Sequence, residues 1–235
     1  MKDISVSVYE ARVEAMNAFF RRVYHWMAAG LILTAVAAHW VASSPSLIRA
    51  LYSSSGTMIG LILVEVGLVF ALSLGINHIS AGVAMGMFIA YSLLNGVTLS
   101  FVLLVYTGES VFSAFVTTAG MFGAMSVYGL YTKRDLASWG SFLTMGLIGL
   151  IIAGVVNMFA GNGVADLAIS AVGILVFMGL TAYDTQYLRN LGGEVNIESG
   201  DPHAQKLAVI GALKLYLDFV NLFLYLLRLF GKQRH

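Results

Sequence analysis

Residues 173–188 read GILVFMGLTAYDTQYL, and residues 213–230 read LKLYLDFVNLFLYLLRLF. Both stretches are apolar along most of their length, yet each carries an aspartate, Asp184 in the first and Asp218 in the second. An acidic side chain inside hydrocarbon costs several kcal/mol unless it faces protein or water and has a partner. Two such acids near one membrane face therefore predict a shared site for a proton or a cation.

The composition is that of a membrane protein. Of 235 residues, 59% are hydrophobic and 11% are charged, and the mean hydropathy is +0.84. Soluble domains carry about 25% charged residues. A transmembrane helix needs about 20 apolar residues, so seven of them take about 140. The length therefore predicts an all-α polytopic membrane protein, a seven-helix bundle whose seventh helix is partly polar and central.

Short polar connections separate the apolar runs. We expect a cytosolic amino-terminal tail over residues 1–22, a membrane domain over 23–231 and a short tail over 232–235. The predicted spans are about 23–41, 57–76, 83–106, 111–131, 139–159, 167–188 and 213–230.

Lysine and arginine near the span ends predict the orientation, because cytosolic connections carry the excess of these residues. Bases in the tail and in the fourth and sixth connections favour a cytosolic amino-terminus. The bases after the last span, Arg228, Lys232 and Arg234, conflict with this arrangement. Either the seventh segment crosses against the charge rule, or it re-enters and leaves the carboxyl-terminus in the cytosol. We expect it to cross.

Other function classes are disfavoured. The chain has no cysteine, which excludes disulfides, thiolate metal sites and a cysteine nucleophile. The net charge is +1, so nothing indicates nucleic-acid binding. The expected partners are the lipid bilayer, protons, calcium and membrane proteins, and no cofactor is expected.

The last span carries a polar stripe. Lys214, Asp218, Asn221, Tyr225 and Arg228 follow one another at spacings of 4, 3, 4 and 3, which places them on one side of a helix. Such a stripe faces the bundle interior or an aqueous cavity. Lys214 and Arg228 lie near the helix ends, and we expect both to reach the headgroups. The short side chain of Asp218 cannot do so.

Asp184 and Asp218 must lie at the same depth in the membrane if they form one site. We expect Asp184 at the cytosolic end of the sixth span, where an exposed carboxylate at the interface is the alternative. Asp218 lies near the start of the seventh span. The depths match if residues 207–212, LAVIGA, form an interfacial helix before that span.

Two carboxylates at close range cannot both ionise cheaply in a low dielectric, so we expect Asp184 and Asp218 to share one proton. The hydrogen bond would close the pocket, and deprotonation or cation entry would open it. Calcium prefers oxygen ligands. Asn221, Tyr183 and backbone carbonyls could add neutral oxygens, so we predict that protons and calcium compete for this site.

Other polar residues lie within or near the spans. Glu65 in the second span either lines a cation path or is a hydrogen-bonded structural acid. Asn95 and Asn157 are expected to join helices. Tyr225 is a candidate for a pore or polar network. His78 could approach the aspartates, although an ordinary interfacial histidine is the favoured interpretation.

Two motifs resemble those of a known family. Residues 179–189, GLTAYDTQYLR, and 215–231, LYLDFVNLFLYLLRLFG, closely resemble the paired signature of the transmembrane Bax inhibitor motif family, in its bacterial branch. Residues 118–136, TAGMFGAMSVYGLYTKRDL, are similar to its fourth span and basic cytosolic turn. The resemblance covers nearly all of residues 23–231.

The resemblance implies a seven-helix fold and a pH-sensitive calcium leak conductance, here in a bacterial inner membrane. It would assign a di-aspartyl sensor to Asp184 and Asp218 and the acid of the second helix to Glu65. Some members brace the closed aspartate pair with an arginine after the second helix. This chain has no arginine at residues 75–78, where His78 is the only cationic candidate.

Two alternatives remain. A diaspartyl intramembrane protease needs Gly-x-Gly-Asp in the seventh span and a following Pro-Ala-Leu. Here residues 215–218 read LYLD and no proline follows Pro202, so we do not expect an enzyme. A regulatory or binding protein that acts on other membrane proteins without conducting ions is the second alternative.

Overall fold

The computed structural model of this protein describes residues 2–194 and 202–234, and in these ranges it is helical without a β-strand. Seven of the described helices are long and apolar enough to cross a membrane, so the predicted fold class is confirmed. The helices are α1 (Lys2–Ala42), α2 (Pro45–Tyr52), α3 (Ser55–Gly75), α4 (Ala81–Val105), α5 (Gly108–Tyr131), α6 (Ala137–Ala160), α7 (Gly163–Glu194) and α8 (Pro202–Phe230).

The first helix is longer than a membrane span requires. At 1.5 Å per residue, α1 is roughly 60 Å long, whereas the hydrocarbon core is about 30 Å thick. Its apolar part is Val13–Ala42. Residues 2–22, which we expected as a cytosolic tail, are helical and continuous with the first candidate span.

The chain divides into two compact units, residues 1–105 with 191–213, and residues 106–190 with 214–235. In the first unit, α4 packs against α1 and α3, and the short helix α2 contacts both α1 and α3. The Thr34 hydroxyl of α1 donates to the Ser92 carbonyl of α4 at 2.8 Å. The helices α1 and α4 are therefore joined by packing and by a buried hydrogen bond.

In the second unit, α7 holds the connection between α5 and α6. The Gln186 side chain accepts from the Leu136 N–H at 2.7 Å and donates to the Arg134 carbonyl at 2.8 Å. Arg189 donates to the Leu130 carbonyl near the end of α5 at 2.7 Å. These bonds satisfy backbone groups that the helix ends leave unpaired.

Within the same unit, α8 runs antiparallel to α7 along most of its length. Lys214 pairs with Asp184 in the second half of α7, and Arg228 pairs with Asp166 in its first turn. The two contacts are 18 residues apart along α7 and 14 residues apart along α8. This antiparallel arrangement favours a seventh segment that crosses over the re-entrant alternative.

The segment after α8 fixes the position of the carboxyl-terminal residues in this unit. Gln233 forms an isolated antiparallel bridge with Tyr106, and the Thr107 N–H donates to the Lys232 carbonyl at 3.1 Å. The end of the described chain thus lies on the same face as the connection between α4 and α5.

The last span is the most buried of the seven candidates. In its most apolar window 61% of the residues are buried, against 11–33% in the others. This agrees with the predicted central seventh helix. Residues 207–212, which we expected to precede the membrane, are part of the continuous helix α8. Asp218 consequently lies well inside a continuous helix.

Candidate ion-binding site

Asp184 is buried on α7 and forms an ion pair. The residue is 6% exposed, and its Oδ1 lies 3.0 Å from the Lys214 Nζ of α8. The helix continues past Asp184 to Glu194, which adds roughly 15 Å of helix at 1.5 Å per residue. Asp184 is therefore not at the end of its helix, and the alternative of an exposed interfacial carboxylate is wrong.

Lys214 is turned toward the neighbouring helix. Besides its hydrogen bond to Asp184, the ammonium lies 5.3 Å from the centroid of the Tyr187 ring, a cation–π contact. Asp184 and Tyr187 lie on adjacent turns of α7. The expectation that Lys214 reaches the headgroups is wrong, because its ammonium pairs with a buried carboxylate instead.

Asp218 is the least satisfied acid of the site. The residue is 4% exposed, and among the described residues its buried Oδ2 has no hydrogen-bond partner. Its carboxylate lies close enough to Asp184 and Lys214 for the charges to interact. An ionised carboxylate in a low dielectric is costly unless it is paired. We call these two acids and one base the Asp184–Lys214–Asp218 cluster.

The two predicted neutral ligands, Asn221 and Tyr183, lie in different surroundings. Asn221, on the turn after Asp218, donates through Nδ2 to the Leu217 carbonyl at 2.8 Å. The Tyr183 ring instead packs on α6, where a Cβ on Gly140 would lie 2.7 Å from it. Asn221 is therefore the better candidate for an added oxygen, because its carbonyl does not take part in that bond.

Tyr225 anchors α8 to α7. Its ring centroid lies 5.8 Å from that of Phe177, and a Cβ on Gly173 would lie 2.7 Å from the ring. The missing side chain of Gly173 lets the aromatic ring lie against the helix backbone. Tyr225 thus has a packing role between the two helices that carry the aspartates.

The polar stripe ends in a cavity at the other end of α8. The cavity has a volume of about 810 Å³, and Asp166 and Arg228 are among its lining residues. These two side chains are 3.8 Å apart and about half-exposed, and Asn157 of α6 donates to Asp166 at 2.9 Å. Asn157 therefore joins α6 to α7, as predicted. The polar face of α8 is turned toward α7, since Lys214, Tyr225 and Arg228 all contact it.

Glu65 lies in the other compact unit and is hydrogen-bonded to α4. It is 8% exposed and accepts from Asn95 Nδ2 at 3.3 Å and from the Thr98 hydroxyl. The prediction that Asn95 joins helices is confirmed. These contacts favour the structural interpretation of Glu65.

His78 is exposed in the turn after α3. Its backbone N–H donates to the Gly75 carbonyl at 2.9 Å, and no salt bridge to its ring occurs in the described part of the chain. These contacts favour the interpretation of His78 as an ordinary interfacial residue.

Few side chains near the cluster could ligate a metal ion. Across residues 2–194 and 202–234, no group of three or more histidine, cysteine, aspartate or glutamate side chains could hold a metal ion. A calcium ion at the cluster would have two carboxylates and would need neutral oxygens or water for its other ligands. Such a ligand set suits transient rather than tight binding.

Sequence reasoning missed two partners of the buried acids. Lys214 was recognised as part of the stripe but not as the partner of Asp184, and Thr98 was not recognised at all. The sequence did place Lys214 four residues before Asp218, so both lie on the same face of α8, and this proximity to a buried acid could have indicated a pairing role. Nothing local in the sequence distinguishes Thr98 from other threonines in the spans.

Comparison with known proteins gives the family. The family model described as "Inhibitor of apoptosis-promoting Bax1" matches residues 16–235. Inner membrane protein YbhL of Escherichia coli (strain K12) is 45% identical over 230 residues, 98% of this chain and 97% of that protein. An uncharacterized protein of Borreliella burgdorferi is 42% identical over 219 residues, 93% of this chain and 94% of that protein. An uncharacterized membrane protein of Streptococcus pyogenes serotype M6 is 36% identical over 227 residues, 96% of this chain and 97% of that protein. The predicted family is confirmed: the chain belongs to the Bax inhibitor-1 family and is a multi-pass integral membrane protein.

Proposed function

We propose that this protein is a pH-sensitive cation leak channel that passes calcium, with Asp184 and Asp218 as its proton and calcium sensor. The observation that carries the proposal is the buried carboxylate of Asp218, whose Oδ2 lacks a hydrogen-bond partner in the described structure. Ionisable groups buried inside membrane helices mark ion or proton pathways.

Charge compensation explains how the site responds to pH. Lys214 balances one of the two carboxylates through its ion pair with Asp184. The second carboxylate, Asp218, then needs a proton or a cation to offset the cost of burial. At low pH a proton fills this role, and at higher pH a cation takes its place. Calcium binding and passage therefore increase as the pH rises.

The available oxygens match a weak calcium site. Calcium takes six to eight oxygen ligands at 2.3–2.6 Å, and Asp184, Asp218 and the carbonyl of Asn221 would supply part of that set. Water would supply the rest. An ion held by few protein ligands leaves easily, as conduction requires.

We also propose the inner membrane as the location, since the related Escherichia coli protein bears that description in its name. The charge distribution favours an amino-terminus in the cytosol. The connection that holds Lys133 and Arg134 would then be cytosolic, and the residues after α8 would lie outside.

The decisive experiment is calcium flux into liposomes that contain the purified protein and a calcium-sensitive dye. Wild-type flux should rise as the pH is raised through neutrality. Asp218→Asn and Asp184→Asn should each change this dependence, because each removes a titrating carboxylate. Asp166→Asn is the matched control: this acid lies on α7 but is half-exposed at the other end, so its loss should leave the pH profile unchanged.

Absence of wild-type flux at every pH would contradict the channel. In that case a regulatory protein that acts on other membrane proteins becomes the better account, and the buried acids would serve as structural pairs. We propose no enzymatic activity.

A further inference from the structure

We propose that the ammonium group of Lys214 is a built-in counter-ion that competes with calcium for Asp184 and thereby sets the calcium affinity of this protein. The inference rests on the proposed function, since it concerns the same carboxylates. It adds a residue that determines affinity and release to the two acids that sense protons.

The contacts of Lys214 place its charge where a bound cation would lie. Its Nζ is 3.0 Å from Asp184 Oδ1 and 5.3 Å from the centroid of the Tyr187 ring. It also interacts electrostatically with Asp218. The ammonium is therefore bound to Asp184 and lies within electrostatic range of Asp218.

Calcium and the ammonium cannot both occupy Asp184 at close range. Calcium requires carboxylate oxygens at 2.3–2.6 Å, and a positive charge at hydrogen-bond distance from the same carboxylate would repel it. Calcium binding must therefore displace Lys214 from the ion pair, and the free energy of that pair is subtracted from the free energy of binding.

Lys214 is able to move away. Its side chain is 39% exposed, whereas that of Asp184 is 9% exposed. The lysine stem has four rotatable methylenes and carries a single point charge, so the ammonium can leave without moving the helix. Lys214 is therefore the solvent-accessible member of this ion pair, and Asp184 is the buried member.

A competing counter-ion suits a leak pathway. Conduction requires that an ion bind well enough to enter and weakly enough to leave. By lowering the affinity of the two carboxylates for calcium, Lys214 would speed release. Its removal should therefore give tighter calcium binding together with a lower maximal flux.

The test compares Lys214→Met, which keeps an unbranched chain but removes the charge, with Lys214→Arg, which keeps the charge. We expect the half-saturating calcium concentration of Lys214→Met to fall at least about tenfold. Calcium would no longer have to break the Lys214–Asp184 hydrogen bond, and the free energy of a hydrogen bond to a charged group corresponds to a change of about tenfold or more in affinity. Maximal flux should fall as well. Lys214→Arg should remain close to wild type.

Lys206→Gln is the matched control. Lys206 lies earlier on α8 and is also partly buried, so its substitution removes one charge from the same helix without removing the partner of Asp184. It should leave the calcium affinity unchanged. The same variants are measured by isothermal titration calorimetry with calcium alone, which does not depend on conduction.

The outcomes separate the two proposals. If the wild-type protein conducts calcium and Lys214→Met has the same half-saturating calcium concentration, the counter-ion role is overturned and the proposed function stands. Absence of wild-type flux would overturn the proposed function, and calorimetry then decides on Lys214 alone. Tighter binding by Lys214→Met supports the counter-ion role, and equal or weaker binding overturns it.

A measurement on wild-type protein covers the case in which Lys214→Met does not fold. Acylation of Lys214 by an amine-reactive reagent, followed by mass spectrometry, should become faster in saturating calcium because the ammonium leaves Asp184. The reactivity of Lys206 should not change. A rate at Lys214 that is insensitive to calcium would overturn the proposal.

Discussion

Lys214 of α8 and Asp184 of α7 form an ion pair with 3.0 Å between Nζ and Oδ1. The pair joins the two helices that carry the acids, and no salt bridge to Asp218 occurs within residues 2–194 and 202–234. The structure therefore distinguishes two aspartates that appear equivalent in the sequence: Asp184 accepts a hydrogen bond from Lys214, whereas Asp218 Oδ2 has no hydrogen-bond partner in the part of the chain that the structure describes. The predictions below follow from this difference and from the antiparallel arrangement of the helices.

Asp184→Asn should destabilise the protein by about 1–2 kcal/mol. The substitution removes the charge that Lys214 pairs with, and the partial exposure of Lys214, 39% of its side chain, keeps the cost at the low end for a charged pair. Thermal unfolding in detergent measures the effect. Asp166→Asn, at the half-exposed pair with Arg228, should cost less than about 1 kcal/mol; an equal loss in both variants would contradict the prediction.

Asp218→Asn should leave the stability unchanged or increase it, because replacing a buried carboxylate that accepts no hydrogen bond at Oδ2 from any described residue with a neutral group removes a desolvation cost. The same substitution should flatten the pH dependence of calcium flux. Thermal unfolding and liposome flux on one preparation measure both effects. A clear loss of stability would indicate that the Asp218 carboxylate makes a stabilising contact, which would argue against its role as a sensor.

Gly173→Ala should destabilise the protein by about 1–3 kcal/mol, as overpacking does in well-packed interiors. The new Cβ would lie 2.7 Å from the Tyr225 ring, which must move. Gly149→Ala on α6 is the matched control, since no atom of another described element lies within 4 Å of its Cβ position. That variant should be neutral or slightly stabilising, because alanine favours helix over glycine. Equal effects at the two positions would show that Tyr225 does not pack closely on α7.

The two faces of the second unit can be identified by labelling. The chain has no cysteine, so single cysteines at Gln233, Gly108 and Asp135 report directly on sidedness. Gln233→Cys and Gly108→Cys should react with a membrane-impermeant thiol reagent from one side, because Gln233 bridges to Tyr106 beside Gly108. Asp135→Cys should react from the other side. Labelling of Gln233→Cys and Asp135→Cys from the same side would show that α8 does not cross.

Much of the candidate site could be predicted because acidic residues are rare inside apolar membrane spans. Asp184, Asp218 and Glu65 are recognisable as acids inside apolar runs, and all three are buried. Lysine is harder to interpret, because its long stem reaches either the headgroups or a buried partner with the same sequence pattern. The distance from Lys214 to Asp184 depends on how α7 and α8 align, and residues thirty positions apart carry no local signal of that alignment.

The amino-acid sequence by itself determined the membrane class, the seven apolar spans, the buried acids and the family, because each depends on composition, hydropathy or a short motif. Tertiary structure alone decided which aspartate pairs with Lys214, that α8 runs antiparallel to α7, and that Glu65 bonds to Asn95 and Thr98 of α4. The physical reason is that hydrophobicity is summed along the chain, whereas charge pairing depends on distances between helices that only packing sets.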